Sequence, residues 1–139
     1  MDAPTDQGFF AGLLGKSARL AAKLFAVAAV LLALWTVIAY SWSYSSGDRV
    51  GFVQKLSSKG WVCKTWEGEL AMVNLPGQMS ERFAFSVRDD AVAARINALL
   101  GQRVKLSYDE HVGLPSSCFG ETAHFVTAVQ TMDAAPAAP

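Results

Sequence analysis

The chain has 139 residues, 52% of them hydrophobic and 17% charged, and its twelve basic and twelve acidic side chains cancel to a formal charge of zero. That length holds one small domain beside a membrane segment. The lack of a basic surplus argues against a nucleic-acid binder held by phosphate neutralisation. No CxxC occurs, and His111 and His124 lack paired-ligand spacing, so no metal and no cofactor is expected.

Residues 1–23 read as a basic, interfacial N-terminal segment. Gly8 to Lys23 (GFFAGLLGKSARLAAK) alternates apolar and basic residues at roughly helical spacing. Gly15-Lys16-Ser17 imitates the end of a phosphate-binding loop, but Phe10 stands where that motif needs a glycine. From Leu24 to Trp42 (LFAVAAVLLALWTVIAYSW) there are nineteen residues without a charge. A helix of that length rises about 28 Å, close to the thickness of a bilayer's hydrocarbon core. The pattern therefore predicts a transmembrane helix over 24–43. A cleaved signal has a shorter apolar core, and a buried helix of a soluble protein would show a polar stripe.

Trp35 falls in the acyl region of this span, and Tyr40, Trp42 and Tyr44 fall at headgroup depth. Lys16, Arg19 and Lys23 precede the span; Arg49, Lys55 and Lys59 follow it. The first set lies nearer the bilayer, which places the N-terminus in the cytoplasm and the C-terminal domain across the membrane. Ala22, Ala26, Ala29 and Ala33 include spacings that would let two such helices approach and self-associate.

A linker is expected at 44–48, a β domain at 49–131 and a disordered Ala/Pro tail at 132–139. From Asp48 to Asp133 there are nine basic and ten acidic residues. Val50, Phe52 and Leu56 would share one face of a first strand over Arg49–Ser57. A turn at Ser58-Lys59-Gly60 then leads into a long strand from Trp61 to Val73, with Gly68 a candidate bulge. After a loop at Pro76-Gly77, Phe83, Phe85 and Val87 alternate in a third strand. Asp89 and Asp90 are N-cap candidates for a helix carrying Val92, Ile96, Leu99 and Leu100, stopped by Gly101. Val104, Leu106 and Tyr108 mark a fourth strand. Phe125, Thr127 and Val129 mark a fifth, with both of its faces partly apolar.

Three strands, a helix and two strands is the order of a five-stranded OB-like barrel with one α-helix between strands 3 and 4. A flat sheet covered by a helix is the alternative. In such a barrel the loops that join strands one to two and four to five flank one face. Cys63 and Cys118 sit in or beside those loops, so an oxidising compartment would make them a disulfide candidate. The alternative is two buried, unpaired thiols.

The run Gly47-Asp48-Arg49-Val50-Gly51-Phe52-Val53-Gln54-Lys55-Leu56-Ser57-Ser58-Lys59-Gly60, followed by Cys63-Lys64-Thr65-Trp66-Glu67-Gly68-Glu69-Leu70, resembles a family of small bacterial single-pass membrane proteins. Cys118-Phe119-Gly120-Glu121-Thr122 resembles its closing segment. The resemblance covers about Ser43–Val129. It implies a single span followed by a compact β domain, and it implies no activity; with the orientation read from the flanking charges, the expected location is the bacterial inner membrane with that domain periplasmic. Some relatives carry the label 6-phosphogluconate dehydrogenase, which this chain does not support: it has no GxGxxG after a strand and no room for a dinucleotide domain.

Lys64, Trp66, Glu67 and Glu69 form the densest polar–aromatic cluster and are the candidate partner-binding residues, because OB barrels bind ligands across their second and third strands. Lys64 and Trp66 should share one strand face and the two glutamates the other. The simpler reading makes Trp66 core and the glutamates a solvated face. The function expected is a non-enzymatic membrane protein whose OB-like domain binds a protein or envelope component, with self-association as a further possibility and nucleic acid disfavoured. The alternatives are a tethered nucleic-acid-binding OB domain, or a small enzyme using Glu67, Glu69, His111 or Cys118.

Overall fold

The computed structural model describes residues 7–72, 77 and 79–132. It divides into two units, Met1–Ile38 and Ala39–Pro139. Val73, Pro76, residues 1–6 and residues 133–139 lie outside the described residues.

The first unit carries most of a single helix, α1 (Gln7–Ser41). Its stretch Gly15–Ser41 contains an 18-residue window of mean hydropathy 2.2 and is long and apolar enough to cross a membrane. A membrane anchor and a signal sequence both meet that criterion. Every side chain from Gly15 to Trp35 is exposed. Thr36 Oγ1 donates to the Leu32 carbonyl at 2.8 Å, so this hydroxyl is satisfied within the helix. The helix stops at Ser41, short of the predicted span end at 43.

The second unit contains β1 (Ser45–Lys59), β2 (Thr65–Met72), β3 (Arg82–Val87), α2 (Asp90–Ala98), β4 (Arg103–Glu110) and β5 (His124–Thr131). The strands close into a barrel in the order β1-β2-β3-β5-β4, with β1 also pairing β4. All neighbours are antiparallel except β3 and β5, which meet in parallel at Ser86 and Phe125. This is the five-stranded OB arrangement with its helix between the third and fourth strands.

Three expectations are corrected. The linker placed at 44–48 is strand from Ser45 onward: Ser45, Ser46, Gly47 and Asp48 pair with Glu110, Asp109, Tyr108 and Ser107. The closing strand of a barrel must reach two neighbours, so it runs longer than its apolar pattern, which begins only at Val50. The second strand begins at Thr65, not Trp61, because the chain turns at Gly60 (φ +127°) and loops through 60–64. The bulge expected at Gly68 lies instead on the facing strand, between Val53 and Lys55.

That bulge explains the inner face of β1. Val53 is buried at 1% exposure and Phe52 is 43% exposed, the reverse of the simple alternation. The extra residue at Gln54 restores the register, and Leu56 packs against the core. Gly68 stays in the ladder between Leu56 and Phe85, where a Cβ would collide with the Phe85 ring. A second shift, between Ser107 and Tyr108, lets Val126 and Val129 both join the core. It accounts for the apolar character of both faces of β5.

The core gathers Leu70, Phe83, Phe85, Val87, Val104 and Leu106 around Val53. α2 closes it with Val92, Ala93 and Ile96. Asp89 caps α2, its carboxylate accepting from the Ala91 N–H at 2.7 Å. Gly101, at φ +77°, then turns the chain and donates its N–H to the Val53 carbonyl.

Candidate functional site

The outer face of β2 and β3, with the β1–β2 loop (60–64) and the β4–β5 loop (111–123), is where OB barrels hold ligands. Here that face is occupied by the chain itself. Glu67 points outward from β2 yet is only 6% exposed. Its carboxylate accepts from Thr65 Oγ1 at 2.7 Å, Ser86 Oγ at 2.6 Å and the Glu121 N–H at 3.1 Å. Ser86, fully buried, accepts in turn from the Thr122 N–H at 3.1 Å and shares a 2.8 Å hydrogen bond with the Thr122 hydroxyl. Gly120 lies so close to Ser86 and Phe125 that a Cβ there would collide with both. The β4–β5 loop is therefore laid down across the strands.

Glu69 shares this face but has a different fate. It is half-buried, 3.9 Å from the exposed Arg82 guanidinium. An ion pair of that length at the surface stabilises little.

The two loops are also held to each other. The Cys63 and Cys118 sulfurs stand at disulfide distance, 2.04 Å, with their Cα atoms 4.9 Å apart. Lys59 reaches Glu121 at 3.5 Å. A cavity of about 340 Å³ lies between these segments, lined among others by Lys59, Trp61, Ser117 and Glu121. Trp61 and Val62 at the loop tip are fully exposed, at 103% and 94%.

A second cavity, about 450 Å³, takes in Lys64, Trp66, Arg88, Phe119 and Tyr40. Trp66 is half-buried against the core, and its indole N–H donates to Asp90 at 2.8 Å. Arg88 is sandwiched between two rings, 4.3 Å from the Tyr40 centroid and 3.7 Å from that of Phe125. Its Nε and Nη2 are buried without a hydrogen-bond partner. Burial pushes the Arg88 pKa below its ordinary value, because desolvation disfavours the charged form.

The four sequence-selected residues are thus divided between two surfaces. Lys64 and Trp66 line the second cavity, while Glu67 and Glu69 lie on the outer β2–β3 face. Sequence pattern does not mark Arg88, because a lone arginine after an alternating strand carries no motif. His111 Nδ1 sits 3.2 Å from the Ala39 carbonyl. Among the described residues no three His, Cys, Asp or Glu side chains gather as metal ligands.

No protein-family model and no curated protein matches the chain. Among solved structures, the chain is similar to the mitochondrial single-stranded DNA binding protein Rim1 from S. cerevisiae, with a TM-score of 0.51 and 8% identity, over 66% of this chain and 96% of that one. The chain carries an OB fold. At that identity the likeness describes backbone architecture alone.

Proposed function

We propose that the chain is a non-enzymatic, single-pass membrane protein whose OB barrel binds a protein or another envelope component through its joined β1–β2 and β4–β5 loops. The observation that carries this reading is the pair Trp61–Val62, fully exposed on a loop that is fastened two residues away. Tryptophan is among the residue types that dominate binding energy at interfaces, and a restrained loop presents it with less ordering cost. The expected topology puts the barrel in an oxidising compartment, where a Cys63–Cys118 disulfide persists.

The second reading, single-stranded nucleic acid, is favoured by the neighbour's fold. Against it, Glu121 and Thr122 lie where an oligonucleotide would cross β2 and β3. The outward residues of those strands, Thr65, Glu67, Glu69, Ala71, Arg82, Ala84 and Ser86, include no aromatic platform for base stacking.

A photo-cross-linking amino acid placed at position 61 or 69 in intact cells tests the choice. Protein adducts at 61 and none at 69 are expected. Oligonucleotide adducts at 69 would transfer the function to the second reading, and silence at both positions would remove the first. Alkaline extraction and a reporter fused after Pro139 check the anchor and its direction.

A further inference from the structure

The second cavity is short of negative charge. Its lining holds two cations, Lys64 and Arg88, against one carboxylate, Asp90, whose Oδ1 already accepts from Trp66. Neither cation has an ion-pair partner among the described residues. Burying guanidinium N–H groups without acceptors is costly, and stacking on Tyr40 and Phe125 recovers only part of that cost. Of the remaining walls, Tyr40, Trp66 and Phe119 supply aromatic surface beside Thr65, Val87 and Cys118, so the cavity pairs cationic groups with largely apolar surface. That is the composition of a pocket for an amphiphilic anion.

Tyr40 says which anion is at hand. It lies two residues beyond Ile38, the last residue of the first unit. With α1 across a bilayer, Tyr40 sits at headgroup depth, where lipid phosphates are the most concentrated anions. We infer that this cavity binds the phosphate group of an anionic phospholipid, with Lys64 and Arg88 as the cationic contacts and Tyr40, Trp66 and Phe119 covering the adjoining apolar part. The lipid as source rests on the membrane-anchored reading above; the phosphate chemistry does not.

The full chain, reconstituted in bilayers of equal phosphatidylglycerol and phosphatidylcholine and then transferred to mild detergent, is assayed for retained lipid by native mass spectrometry. Phosphatidylglycerol is expected to be retained over phosphatidylcholine. Lys64→Gln and Arg88→Gln each lower that retention about tenfold, while Lys55→Gln on β1 leaves it unchanged. Lys64 is exposed, so its variant keeps the test valid should Arg88→Gln misfold. Inorganic phosphate is added in a second arm. Displacement of the lipid with the same dependence on Lys64 supports the site and makes free phosphate a competing source.

Equal retention of both lipids, or a Lys64→Gln protein indistinguishable from wild type, overturns the proposal. Alkaline extraction separates the two failures. A chain released from membranes whose thermal midpoint rises with phosphate, but not in Lys64→Gln, loses the anchor and keeps the site. A chain that stays in the membrane and discriminates between neither lipid nor phosphate loses the site alone.

Discussion

Glu67→Ala removes an acceptor that three donors share. The donors come from β2 itself, from β3 and from the β4–β5 loop, at 2.6 to 3.1 Å. Hydrogen bonds to a charged acceptor contribute about 1.5–3 kcal/mol each, but the three losses do not add. Ser86 keeps Thr122 as a partner, and the Thr65 hydroxyl, half-buried, can turn to water. The orphaned Glu121 N–H and the gap beneath the loop remain. The net loss should be about 2–4 kcal/mol, a fall in midpoint of roughly 10–25 °C for a domain of this size. Glu69→Ala, on the same face with only a 3.9 Å contact to Arg82, should cost about 0.5 kcal/mol or less. Thermal unfolding of the full chain in detergent, followed by near-ultraviolet circular dichroism, compares the two. Amide exchange should also accelerate at Glu121 and Thr122 in Glu67→Ala. Equal midpoints for the two variants would refute the claim that the carboxylate fastens the loop.

Cys63→Ser removes the proposed link to Cys118, 55 residues away in sequence, and loop entropy sets the expected loss at about 4 kcal/mol as an upper figure. Reductant should lower the wild-type urea midpoint to that of the variant, and an insensitive wild type would count against pairing. Gly68→Ala drives a methyl into the Phe85 ring and the Lys55 carbonyl; a loss of about 1–3 kcal/mol is expected, partly recovered when Phe85→Leu is combined with it. Asp48 accepts from Ser107 Oγ at 2.6 Å and pairs with Lys105 at 2.9 Å, which together hold its pKa below the ordinary aspartate value. A depressed acid contributes its stability above its unfolded pKa and loses it as pH falls through the lowered folded one. Ser107→Ala should therefore move the Asp48 titration upward when followed by NMR.

The element order, the closed barrel and the α2 cap were legible because period-two alternation and an Asp before an apolar helix are local signals. What local pattern could not supply was register. Phe52 and Val53 are adjacent and both apolar, and only the bulge at Gln54 decides which one faces Leu70. Gly68 carried a signal that pointed to the wrong cause: it is small to admit Phe85, a contact set by the pairing of β2 with β3. Ser45–Asp48 look like a linker because their pairing partners lie about sixty residues away on β4. In the candidate site, alternation placed Glu67 and Glu69 on one face of β2, whereas Lys64 lies in the loop before that strand and meets Trp66 only as part of the second cavity's lining. Burial of Glu67 depends on a loop 54 residues downstream, and Arg88 acquires its setting only through Tyr40 and Phe125.

The distance in sequence between the two cysteines also sets a schedule. Cys63 leaves the ribosome 55 residues before Cys118, which at about 5–20 residues per second is an interval of roughly 3–11 s. Throughout that interval Cys63 is a lone thiol beside Trp61, on a chain whose last strand, β5, has yet to follow. A catalyst of thiol oxidation that captured it as a mixed disulfide would shield it from wrong partners and hand it to Cys118 on arrival. On the proposed topology and pairing, biogenesis of this barrel should therefore slow in cells deprived of such a catalyst, even where the finished protein is stable once made.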